Sequence, residues 1–313
     1  EAMITTREEA LAAVNQNGYL LRYASDALKD DRDIVLAAVN QNGFALKYAS
    51  DDLQDDRDVV FAAISQNGRA LQYASDALKN DRDVVLAAVN QYGTALQFSL
   101  NNSWWPSFFG TNVNNDREIV LAAVNQYGEA LHYASDALKA DREVVLAAVN
   151  QDGTALQFSL NNSWWPSFFE TNVNNDREIV LAAVNQNGRA LEYASDALKD
   201  DREVVLAAIN QDSDALESAS IALKNDREVV LAAVNQYGYA LMYASAALKD
   251  DRDIVLAAVN QDSDALESAS IALKNDREVV LAAVNQNGHA LRYASAAMRA
   301  DREVVLAAVN QYG

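Results

Sequence analysis

The sequence predicts an all-α solenoid of about twelve short helix-turn-helix layers, on three observations. A motif beginning Asp-Arg-acid recurs at Asp31, Asp56, Asp81, Asp116, Asp141, Asp176, Asp201, Asp226, Asp251, Asp276 and Asp301, with Thr6 in place of Asp in the first copy. The period is 25 residues, stretched to 35 only at 81–116 and 141–176, so the whole of 1–313 reads as a single continuous array. Every copy carries an apolar run of helical character with an Ala-Ala pair, and the period-two alternation of a half-buried strand is absent. A unit this small cannot bury its own apolar face and must stack on the next one. The hand of the superhelix is not encoded in these patterns.

Residues 176–200 serve as the reference copy. Asp176 is placed to cap a helix through its carboxylate, and Glu178 falls in the first turn, where the positive end of the helix dipole favours it. Ile179, Val180, Leu181, Ala182, Ala183 and Val184 follow, apolar almost all round, which calls for burial between neighbours. Gly188 stands just past this helix, where a left-handed residue is often required. Ten of the 11 glycines share that position, and Ser213 and Ser263 replace it in two copies. Ala190 to Ser195 reads as a second short helix, and Ser195 as the cap of a final turn through Leu198.

Rows that repeat in every copy are expected to fasten copies together. Arg at the second position opposes the helix dipole, so it should find a carboxylate in its own or the adjoining copy, for example Arg202 with Asp200 or a neighbour's equivalent. The Asn-Gln pair, as in Asn150-Gln151, suggests a buried amide ladder. The ring row, Tyr23, Tyr48, Tyr73, Tyr133, Tyr193 and their equivalents with Phe98 and Phe158, suggests packing between copies. Where the ring becomes Ser218 or Ser268, Ile221 or Ile271 stands three residues on and is expected to fill part of the vacated space.

The repeat Asp-Arg-Glu-Ile/Val-Val-Leu-Ala-Ala-Val-Asn-Gln-Asn/Tyr-Gly followed by Ala-Leu-x-Tyr-Ala-Ser, as at 176–195 and 226–245, resembles the tandem helical repeat family catalogued as domain of unknown function 4116. The resemblance covers all but two inserts. It implies a helical array and brings no catalytic residue with it.

Function is expected where the repeat varies. One variable position runs through Tyr19, Phe44, Arg69, Glu129, Arg189, Tyr239 and His289, and a second lies three residues further on, at Arg22, Lys47, His132, Glu192 and Glu217. Spacing of i, i+3 puts both on one helix face, a candidate recognition strip. The sharper signal is the pair of inserts at 101–112 and 161–172. They hold Trp104, Trp105, Phe108 and Phe109, and then Trp164, Trp165, Phe168 and Phe169, including all 4 tryptophans of the chain. Rings so concentrated are costly to leave in water, and a protein partner, the solenoid itself or a membrane interface is expected to cover them.

Composition narrows the partners. With 45 acidic against 25 basic side chains, net charge −20, the chain lacks the clustered cations that nucleic acid requires. Cysteine is absent, and the 2 histidines, His132 and His289, sit in distant copies, so neither a thiolate site nor a histidine pair is expected. No cofactor motif occurs. The expectation is therefore a non-enzymatic scaffold or spacer that binds other protein chains, with copies of itself stacking end to end among the candidates because neither end carries a polar capping repeat. The alternative is a peripheral subunit of a membrane or photosynthetic-type complex, held through the Trp- and Phe-rich inserts.

Overall fold

A computed structural model describes residues 3–99, 112–159 and 172–311. They fall into two compact units, Glu1–Val173 and Asn174–Gly313, and each is an α-solenoid of stacked 25-residue repeats. No strand forms among the described residues; an isolated bridge joins Ile4 to Ala24.

One repeat of the first unit shows how the sequence builds the layer. Asp31 is extended, and its Oδ1 accepts from the amides of Asp33 and Ile34 at 3.0 and 3.3 Å, satisfying donors that the first helical turn leaves open. The helix Arg32–Gln41 buries Ile34, Val35, Ala38 and Val39 completely. It stops at Asn42, whose backbone swings to φ −154° while its side chain accepts from the Phe44 amide at 3.0 Å. The 3-10 helix Gly43–Tyr48 follows and buries Ala45 and Leu46. The sequence placed a short helix here; its winding is the tighter 3-10 form, also in the repeats where Tyr92, Tyr127 or Tyr237 stands in place of the Asn cap. Ser50 then caps Asp51–Gln54, as the serine row predicted.

Three contacts fasten one repeat to the next. The Arg row reaches forward: Arg32 Nε donates to Asp56 at 2.9 Å and its Nη2 to Asp58 at 2.7 Å, so one guanidinium fork holds the cap residue and the first-turn acid of the following helix. Arg202 likewise meets Asp226 and Glu228 of the next repeat, while Asp200 accepts instead from the Ser220 hydroxyl. The serine row forms a second ladder that the sequence did not announce. The Ser50 amide donates to the Lys29 carbonyl at 2.9 Å and its hydroxyl to Asp30 at 2.6 Å, both in the preceding repeat. Leu100 and Leu160 occupy this serine's place in the two repeats that carry inserts.

The third contact corrects the reading of the glycines. None of the described glycines has positive φ, so their backbone is not left-handed. Gly18, Gly43, Gly68, Gly93, Gly128, Gly188 and Gly238 are small because the next helix lies against them: a Cβ on Gly18 would stand 2.3 Å from the Ala38 carbonyl oxygen, and one on Gly238 would stand 2.1 Å from that of Ala258. Glycine here is a close-approach residue facing the second alanine of the Ala-Ala pair. Ser213 and Ser263, buried in the same position, mark repeats where a side chain is accommodated.

Two other expectations also fail. The Asn-Gln pair is exposed, as at Asn40 and Gln41, so it forms no buried ladder; Gln126 and Gln286 still donate to carbonyls of the preceding repeat, and the usual capping amide is the residue after the pair, as at Asn42. Ile221 and Ile271 fill no vacancy. Both are 86% exposed, in the turn that follows Ser220 and Ser270, pointing away from the place the ring left.

Candidate interaction surface

With the long helices and the Arg, Ser and Gly rows occupied in fastening, the exposed variable side chains gather on the 3-10 helices. Residues i and i+3 nearly eclipse in that winding, so Tyr19 stands over Arg22, Phe44 over Lys47 and Glu129 over His132. Stacked repeats line these pairs into a strip within each unit. All seven variable positions singled out from the sequence lie on it: Tyr19, Phe44, Arg69 and Glu129 in the first unit, and Arg189, Tyr239 and His289 in the second. Arg69, Arg189 and His289 are exposed, Tyr19 and Tyr239 just so, and Phe44 and Glu129 are half-buried.

The ring row belongs to the same surface, a link that sequence spacing did not reveal. Tyr19 meets Tyr48 of the next repeat edge to face at 6.3 Å, and Phe44 meets Tyr73 the same way at 6.1 Å. The Lys47 ammonium lies 6.0 Å from the rings of both Tyr48 and Tyr73. Arg22 rests over Tyr23 at 4.8 Å and Arg69 over Tyr92 at 5.0 Å. The rings thus pack between repeats, as expected, but only half-bury, and each keeps an edge or face on the strip.

Further along the first unit the strip deepens into a groove of about 560 Å³ whose walls include Arg69, Tyr92, Gln97, Glu129, His132 and Phe158. His132 stands 5.0 Å from both Tyr133 and Phe158, edge-on to each. Where most repeats place a capping Asn or Asp, Tyr92 and Tyr127 stand here, as Tyr237 does in the second unit, and offer no cap. Gln126 compensates at Tyr92: its Oε1 accepts from the Gly93 amide at 3.1 Å while its Nε2 donates to the Val89 carbonyl at 2.9 Å. The freed tyrosines turn outward, 41% and 44% exposed, and Tyr127 Oη donates to Glu129 at 2.7 Å. That bond to a carboxylate pushes the Tyr127 phenol above its ordinary pKa. The sequence signal for this groove was Tyr before the glycine in two successive repeats, at Tyr92 and Tyr127; the single Tyr237 does not line it.

The second unit's strip has the opposite chemistry. Its 3-10 helices carry Glu192, Asp214, Glu217, Asp264 and Glu267 against Arg189 and Arg292. Arg189 is held by Asp212 at 3.0 Å and Asp214 at 3.5 Å, and Arg292 lies 3.6 Å from Asp264. The missing ring at Ser218 leaves a hollow of about 280 Å³ walled by Arg189, Glu192, Asp214, Glu217 and Tyr243. Burial, and then the nearby Asp214 and Glu217 carboxylates, raise the Tyr243 phenol.

The insert rings Trp104, Trp105, Phe108, Phe109, Trp164, Trp165, Phe168 and Phe169 lie outside the described residues. Among the described residues no cluster of three or more histidine or acidic side chains has the form of a metal site, and no helix is long and apolar enough to cross a membrane.

No curated protein and no solved structure matches the chain. The family described as Domain of unknown function (DUF4116) matches residues 6–54, 56–102, 116–162, 176–224, 201–249, 226–274, 251–299 and 276–313. These stretches are the stacked repeats that carry the cap, the glycine and the serine ladder, and the chain accordingly belongs to the DUF4116 family.

Proposed function

We propose that the chain is a non-enzymatic scaffold that holds protein partners on the strip of its 3-10 helices, with the insert rings as additional contacts. One observation carries this reading: the side chains that repeat without change are consumed in joining repeats, whereas those that change lie together on one surface with their polar ends and ring edges in solvent. A fixed frame with variable side chains on one face is the arrangement by which helical arrays present extended binding surfaces. Half-buried rings flanked by Arg and Lys supply contact area with little rotamer entropy to lose.

A photo-crosslinking residue placed singly at Glu129, Arg189 and Tyr239 in the full chain is expected to capture protein partners in cells, while the same probe at Asp196, in the first turn of the short helix Asp196–Lys199, is not. Equal capture from Asp196, or none from the strip, rejects the strip as the binding face. Replacing Trp104, Trp105, Trp164 and Trp165 by Ser should weaken the captured associations while leaving the helical circular dichroism intact; unchanged association removes the inserts from the reading.

A further inference from the structure

The two strips are complementary to each other, and we infer that the cationic, aromatic strip of the first unit docks on the acidic strip of the second unit in another copy of this chain. This rests on the strip being a protein-binding face and names the partner. In a chain of net charge −20, Arg22, Lys47 and Arg69 have no carboxylate partner among the described residues and lie instead against rings. The contrast with the Arg row is sharp, since Arg7, Arg32 and Arg82 each hold two carboxylates. On the second unit Glu192, Glu217 and Glu267 have no cationic partner among the described residues, because Arg189 and Arg292 are engaged by aspartates. The first three repeats thus present cations, and the second unit carboxylates, that lack an opposite charge among the described residues.

Register supplies the second argument. Both strips rise by one 25-residue repeat per step, so their charged residues share one spacing, about 10 Å for stacked helical layers. Arg22 and Lys47 occupy successive repeats, and so do Glu192 and Glu217. Matching one pair therefore brings the next into line, a condition that an unrelated partner meets only by chance. Shape agrees: the first strip exposes Tyr19, whereas the second has a hollow at Ser218, between Glu192 and Glu217, where a ring is missing. A Lys or Arg stem from the partner lies along Tyr243 with its charge at the two glutamates. Overall repulsion between two acidic chains acts at longer range and is screened at physiological ionic strength, where the Debye length is about 8 Å; the contacts across the strips are shorter than that.

Sedimentation velocity of the full chain at about 0.15 M ionic strength tests this. Concentration-dependent self-association is expected. The pair Arg22→Glu with Lys47→Glu should weaken it by at least about tenfold, and so should Glu192→Lys with Glu217→Lys. A chain carrying all four reversals should regain association to within about threefold of the original, because the signs again oppose. All four residues are exposed, and circular dichroism should show each variant folded. A chain that stays monomeric, reversals without effect, or a fourfold variant no stronger than either pair would each overturn the inference. A monomer leaves the strip as a face for other proteins, whereas crosslinking that fails on the strip removes the face itself.

Discussion

At the scale of single residues, the cap aspartate does two jobs with its two oxygens. In Asp56, Oδ1 caps its own helix through the Asp58 and Val59 amides, both at 3.0 Å, and Oδ2 accepts from Arg32 of the preceding repeat at 2.9 Å. Lysine could not replace that arginine, since a single ammonium cannot address Asp56 and Asp58 with two separately aimed donors. The hydrogen bond from Arg32 is the main reason the Asp56 carboxyl is held below its ordinary pKa, against the opposing effect of burial, with the Val59 amide adding to it. A carboxyl depressed on folding stabilises the fold above its unfolded pKa of about 3.9, and that contribution disappears as pH falls through the lower, folded value. Asp56→Asn keeps an oxygen for the cap and loses the titration. The stability gap between the original chain and this variant, measured from urea midpoints, should be full at pH 6 and close progressively below about pH 4. A gap that persists unchanged through strong acid would show that the charge pair contributes nothing.

At the scale of the element, one serine caps the final turn of most repeats and ties it to the repeat before. The Ser135 hydroxyl accepts from the Leu138 amide at 3.3 Å and donates to Asn115 of the preceding repeat at 2.7 Å, while its amide donates to the Asn114 carbonyl at 2.9 Å. Ser25 precedes an equivalent turn but makes no side-chain cap. Ser135→Ala should therefore cost about 1 kcal/mol, from the lost cap and the lost hydrogen bond to the exposed Asn115, whereas Ser25→Ala should cost less than about 0.5 kcal/mol. Denaturant midpoints at constant m-value give both, and equal costs would assign the serine row a merely local role. Elements of this kind were legible in part. The period, the capping Asp176 and Ser195 and the buried run at Ile179 and Val180 could be read because each rests on interactions within a few residues. The close approach of Gly188 to Ala208, the serine ladder and the ring contacts of Tyr19 with Tyr48 join different repeats, and a single copy of the motif carries no distance between copies. The recurrence of Gly and Ser in nearly every copy marked them as important, but a helix-end glycine and a close-approach glycine look the same in sequence.

At the scale of the whole molecule, what matters is how far a disturbance travels. Within the first unit Arg7–Gln16 packs on Arg32–Gln41, and Arg32–Gln41 on Arg57–Gln66, so each helix is held by its own repeat and its immediate neighbours. Stability in such a stack is a sum of repeat terms and nearest-neighbour terms. Leu71, fully buried beneath the strip in the 3-10 helix Gly68–Tyr73, lies at one such interface. Leu71→Ala should cost about 2–5 kcal/mol where it occurs. Hydrogen exchange should show the loss of protection largest in Arg57–Gln66 and Arg82–Gln91, smaller in Arg32–Gln41 and close to nil in Arg7–Gln16, two repeats away from the altered one. The same experiment bears on function. If the disturbance stays local, the strip can change side chains in one repeat without altering its neighbours, which is the property that lets a repeated frame carry an unrepeated surface. A uniform loss of protection from Arg7–Gln16 through Arg82–Gln91 would instead describe a unit that opens as one body, in which each strip residue is constrained by the stability of all the others.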